Sequence, residues 1–206
     1  RLQQFLRFCG KDMKAGKRVQ KQSAPRPWMR RCLFAAGALA MGLAVTVAVQ
    51  WIVTGSVFQE VWPWFVESPG YLLLTGLLYG VVVAFLGAAT GSLAAGGAIT
   101  AVLALVLSLV DYFKNAINGT PLEAADFGMA GQLGEVAGVA GELRPPKDFW
   151  MALVALVLCV GALVLLRRFT RLQKRERLGC GAVCLVLGLF LCSGVGAKLV
   201  GPVFGV

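Results

Sequence analysis

YLLLTGLLYGVVVAFLGAATGSLAAGGAITAVLALVLSLV, residues 71–110, contains no Asp, Glu, Lys or Arg. Only Thr90-Gly91-Ser92 interrupts its apolar character, and those three residues have the composition of a tight turn. They separate two uncharged runs, 71–89 and 93–110. An α-helix rises about 1.5 Å per residue, so about 20 residues cross a hydrocarbon layer roughly 30 Å thick. A membrane β-strand would need about 10 residues of alternating polarity, and no such alternation is present. The segment reads as a helical hairpin inside a membrane.

Three further runs, 32–53, 149–166 and 178–197, are equally free of charge, and all five are 18 to 22 residues long. The fold class is therefore an all-α integral membrane protein with five transmembrane helices. Residues 1–31 form a basic tail and 32–206 the membrane domain. The first run starts 31 residues in and is too long for the apolar core of a signal peptide.

Charge placement gives the orientation. Residues 1–31 hold ten Lys or Arg against Asp12, a net of +9. Segment 54–70 holds only Glu60 and Glu67, the 90–92 turn holds no charge, and 111–148 has six acids and three bases, a net of −3. Between the last two runs, six bases stand against Glu176, a net of +5. Lys and Arg stay on the cytoplasmic side, so the chain is expected to start inside, cross five times and end outside. Trp62, Trp64, Tyr71 and Trp150 then fall at outer ends and Trp28 at the inner one, as an aromatic belt requires. The net charge of +10 is accounted for by a tail lying near anionic headgroups, and no nucleic-acid partner is expected.

Small residues recur every four positions in three runs: Ala36, Ala40, Ala44 and Ala48; Gly76, Gly80, Ala84 and Ala88; Cys180, Cys184, Gly188, Cys192 and Gly196. Looser sets are Gly97, Ala101, Ala104 and Ser108, and Ala152, Ala155, Cys159 and Ala162. Such stripes let helix backbones approach closely in lipid, where no hydrophobic drive brings helices together. The cysteines lie in the tail or in and beside the runs, which points to packing and not to an extracellular disulfide framework. Cys180 and Cys184 are one turn apart but have no evident further metal ligands.

The sequence has no His, which removes the usual general base and most transition-metal sites. It has no phosphate-binding loop of the Walker type, and no ionisable residue at mid-membrane to carry a proton relay. The chain by itself reads as non-catalytic.

The most informative polar segment is 111–148. Thr120, Pro121 and Glu123 have the form of a helix start, with Thr as cap and Pro at the first helical position. Leu122, Ala125, Met129, Leu133, Val136, Ala140 and Leu143 follow at helical spacing, an amphipathic stripe. Five glycines, at 128, 131, 134, 138 and 141, weaken it by about 1 kcal/mol each relative to Ala. An interfacial helix over 121–143 is expected, lying on the outer face between the third and fourth spans.

Asp111-Tyr112-Phe113-Lys114, Gly119, Pro121-Leu122 and Asp126 resemble the signature that follows the third span in the membrane domain of the lipoteichoic acid synthase family. That family includes related phosphoglycerol transferases of the alkaline-phosphatase and sulfatase superfamily. Asp111 stands where Asn is commoner. The resemblance implies a bacterial cell membrane and an extracellular catalytic domain, in cis after Val206 or on another chain. That domain would carry a Thr nucleophile and a manganese ion and take glycerol phosphate from phosphatidylglycerol. None of its catalytic or metal residues maps onto residues 1–206, so no cofactor is expected here. On this basis Lys114, Asn115 and Asp126 are the candidate headgroup contacts, with Lys114 as the point charge for a lipid phosphate and Asp126 orienting it. The bland account of the same residues is that Lys114 snorkels, Asn115 caps the third span and Asp126 occupies the first turn of the next helix. The alternative function is a non-enzymatic polytopic protein, a small-solute permease or assembly scaffold, although no inverted repeat is visible.

Overall fold

A computed structural model of the chain describes residues 27–54, 62–67, 69–120, 145–146, 148–170 and 172–193. Every regular element among them is helical: α1 (Pro27–Thr54), α2 (Trp62–Glu67), α3 (Pro69–Thr90), α4 (Leu93–Asn118), α5 (Phe149–Leu165), α6 (Arg167–Thr170) and α7 (Lys174–Cys192). Helices satisfy their own backbone groups, which hydrocarbon cannot do for them.

Among the described residues, three helices are long and apolar enough to cross a membrane: Trp28–Thr54, Pro69–Thr90 and Leu93–Ala116. The apolar α5 has 17 residues, about 25 Å at helical rise. In α7 the uncharged part begins at Leu178, and its 15 residues to Cys192 reach about 22 Å. The expected interfacial helix over 121–143 lies outside the described residues, as do residues 194–197 of the fifth run.

The hairpin predicted from residues 71–110 is present. Gly91, at φ 78°, makes the reversal that L side chains rarely adopt, and its N–H donates to Gly87 O. Ser92 caps α4 from an extended conformation, with its hydroxyl accepting from the Ala95 N–H at 3.5 Å. One helix proves longer than expected. Residues 111–118, read as the start of a loop, continue α4 for about two turns until Gly119, at φ 67°, ends it with its N–H on Asn115 O.

The helix α3 is central, packed against α1, α4 and α7, whereas α5 rests on α1 and α4. The α3 row Gly76, Gly80, Ala84 and Ala88 is buried throughout, and so is the α4 row Gly97, Ala101, Ala104 and Ser108. The α1 row is not. Ala36 and Ala40 are exposed and Ala44 only half-buried, while the buried face of α1 is Phe34, Ala38, Met41, Val45, Ala48 and Ile52. Steps of four overshoot a 3.6-residue turn by about 40°, so an every-fourth row drifts around its helix. Alternating steps of three and four hold one face. In α5, Ala155 and Ala162 are likewise exposed, and Ala152, Leu156 and Leu163 are the buried residues. On α7, Cys180 and Cys184 pack against the core, and a Cβ at Gly188 would sit 3.5 Å from Val81.

The closest approaches are made by glycines. A side chain at Gly42 would overlap the backbone of Gly76 and Gly80, and one at Gly96 would overlap that of Val83 and Gly87. Buried hydroxyls sit beside both crossings: Thr46 donates to Gly42 O at 3.0 Å and Thr100 to Gly96 O at 2.9 Å. Bonding back to its own helix is how a buried hydroxyl satisfies itself in an apolar bundle.

Candidate functional site

A cluster of polar contacts between helices lies at one end of the described bundle, where the start of α1, the α3–α4 turn and the start of α7 meet. Arg177, in the first turn of α7, reaches across to the carbonyls that α3 leaves unsatisfied at its C-terminus. Its Nε donates to Ala88 O at 2.9 Å and its Nη2 to Ala89 O at 2.8 Å. A helix C-terminus carries partial negative charge, so a guanidinium there satisfies orphan acceptors and complements the dipole together. Gly91 keeps this contact open. A Cβ there would lie 2.5 to 2.8 Å from the guanidinium atoms.

One residue earlier, Glu176 ties α7 to α1. Its Oε1 accepts from Arg31 Nε at 2.9 Å and Nη2 at 2.8 Å, and its Oε2 accepts from the Gln173 backbone N–H at 3.1 Å. The second bond caps the start of α7 in a Gln173/Glu176 capping box. The Gln173 N–H, and then the Arg31 side chain, hold the Glu176 carboxyl below its ordinary value of 4.5. The Arg31 side chain is 65% exposed, so solvent screens the pair.

Along the outside of this junction, α3 and α7 leave an open groove of about 530 Å³. Phe85, Leu178, Ala182 and Leu185 line its apolar length, and Lys174 and Arg177 stand at its polar end. Among the described residues no group of three His, Cys, Asp or Glu is placed to hold a metal.

The residues singled out from the sequence lie elsewhere. Lys114 is half-buried and Asn115 exposed, both in the last turns of α4. Asn115 does not cap the helix, which runs on to Asn118, although its carbonyl receives the capping N–H of Gly119. Tyr112 packs against the core and meets Phe113 edge-on at 5.6 Å. Asp126 lies outside the described residues, so its expected pairing with Lys114 does too. Trp28, Trp62 and Trp150 are all exposed at helix ends, as belt residues are.

Sequence reading missed Arg31, Glu176 and Arg177 as a cluster. The spacing of Gln173 and Glu176 is a capping signal that could have been read. Nothing in the basic run 167–177 distinguishes Arg177 from its neighbours. No family model, curated protein or solved structure matches this chain.

Proposed function

We propose that this chain is a five-span membrane-anchor module of the kind that carries the catalytic domain of a lipoteichoic acid synthase-like phosphoglycerol transferase at the outer surface of a bacterial membrane. The observation that carries the proposal is a segregation of charge by the fold. The described parts of two basic segments far apart in sequence, 27–31 and 167–170 with 172–177, lie at one end of the bundle, joined by Arg31 and Glu176. By the retention of Lys and Arg inside, that end is cytoplasmic. The segment resembling the synthase signature begins in the last turns of α4, a helix that starts at the basic end and runs away from it. On this orientation the start of the motif, at 111–114, would lie on the outer side, where such a catalytic domain works. On this reading α5 and α7 are the fourth and fifth crossings. Lys114, Asn115 and Asp126 would meet the headgroup of an incoming phosphatidylglycerol.

Cysteine-accessibility labelling in intact cells tests the orientation, in a background with the native cysteines replaced. A cysteine at Gln132 should react with an impermeant reagent and one at Gln173 should not; the opposite pattern would overturn the proposal. Reconstitution tests the role. The chain alone should release no diacylglycerol from phosphatidylglycerol, and turnover should require an added catalytic domain with its metal.

A further inference from the structure

Arg177 does more than close the end of α3. Its Nη1 takes part in neither carbonyl bond and a guanidinium has five N–H donors, so donors remain at the mouth of the α3–α7 groove. Lys174 lies one turn away on the same helix, is exposed, and lines the same groove. The nearest acid, Glu176, is turned to Arg31 and the Gln173 N–H. The polar end is thus cationic, in a segment of net +5. Below it the walls are hydrocarbon: Phe85, Leu178, Ala182 and Leu185. Gly181 opens the floor of the groove, since its closest neighbour there is Ala88 Cβ, 3.9 Å from where a Cβ would be.

We propose that this groove is a binding site for an anionic phospholipid of the leaflet at the basic end, with its phosphate on Lys174 and Arg177 and an acyl chain along the α3–α7 seam. Charge complementarity selects the ligand. A zwitterionic headgroup brings its own cation to a place already holding two, and an inorganic anion would leave the apolar length unused. Mixed cationic and apolar character in one groove at a span end is what a basic headgroup pocket requires. Lipid here also reinforces the seam between α7 and α3, the helix on which α7 mainly packs. The proposal rests on membrane placement and not on any resemblance to a transferase; it concerns the end opposite Lys114.

The test is native mass spectrometry of the full chain released from nanodiscs containing phosphatidylglycerol and phosphatidylcholine with identical acyl chains in equal amounts. The chain should retain phosphatidylglycerol in excess. Lys174→Gln should cut that excess about fivefold, the effect of one interfacial cation. Ala182→Phe, at an exposed position, should cut retention by filling the groove while leaving every charge in place. Phosphatidylglycerol with a photoreactive acyl chain should label Phe85 and residues 178–185 of the unaltered protein. Equal retention of both lipids, variants that keep the native excess, or photolabel spread evenly over the exposed helix faces would each overturn the proposal. Displacement of the lipid by free glycerol phosphate would also overturn it, since the headgroup alone would then suffice.

Discussion

Helices α1 and α3 carry the same written pattern, a small residue at every fourth position, and the bundle treats them differently. On α3 the row stays buried from Gly76 to Ala88, whereas on α1 Ala36 and Ala40 face outward. The rows drift equally around their helices. What differs is the surroundings. As the α3 row turns it leaves α1, met at Gly76 and Gly80, and finds α7, where Ala88 faces Gly181. The α1 row starts outside the packed face, at Ala36 and Ala40, and drifts into it only at Ala48. A small-residue stripe therefore marks contact only where the helix is enclosed on successive sides, and the glycine that matters most on α1, Gly42, stands outside its stripe.

The sharpest way to break this comparison is to add bulk at Gly42. Gly42→Val drives a side chain into the backbone of Gly76 and Gly80 and should destabilise the bundle by about 3 kcal/mol, the upper range for overpacking. Ala40→Leu, two residues away and exposed, should change stability by less than about 0.5 kcal/mol. Unfolding in mild detergent followed by circular dichroism compares the two. Equal effects would show that the α1 stripe is a contact face after all.

A smaller effect is expected where α3 meets α7. Arg177→Met keeps the apolar stem but removes both bonds to Ala88 O and Ala89 O. The loss should be about 1 to 3 kcal/mol, the range for hydrogen bonds to a charged group after allowing for partial exposure. Spin labels at Val82 and Val186 should report a broadened distance between α3 and α7, with α1–α3 distances unchanged. Uniform loosening would mean that α7 is not an independently attached helix.

The smallest effect belongs to the α1 side of the same end, where an exposed ion pair replaces backbone bonds. Since the folded protein lowers the Glu176 pKa, its stabilising contribution is full above the ordinary value of 4.5 and is lost as pH falls through the lowered folded-state value beneath it. Melting temperature measured against pH should show this acid step in the native chain, and Glu176→Gln should remove it. High salt should shrink it, because the Arg31 partner is exposed.

Of the fold, the helical hairpin at 71–110, the turn at 90–92 and the apolar character of α1, α3 and α4 were legible in the residues. Helix ends were less so: Asp111 to Lys114 read as the start of a loop because charge returns there, yet α4 continues to Asn118. Lys and Asp at a span end do not stop a helix, while a glycine in the left-handed region does, and Gly119 supplies it. Of the candidate sites, Lys114 and Asn115 were reached from a motif. The cluster at the other end was not, because its partners are distant in sequence: Arg31 and Glu176 are 145 residues apart, Arg177 and Ala88 are 89.

Composition and order alone made this an apolar all-helical chain with most of its bases in two segments. Uncharged runs of span length leave the backbone no partners but its own, and that requirement is local. Which small residues touch, and which arginine of a basic run closes a helix end, were decided by packing. Both depend on where neighbouring helices lie, and no spacing within one helix carries that information.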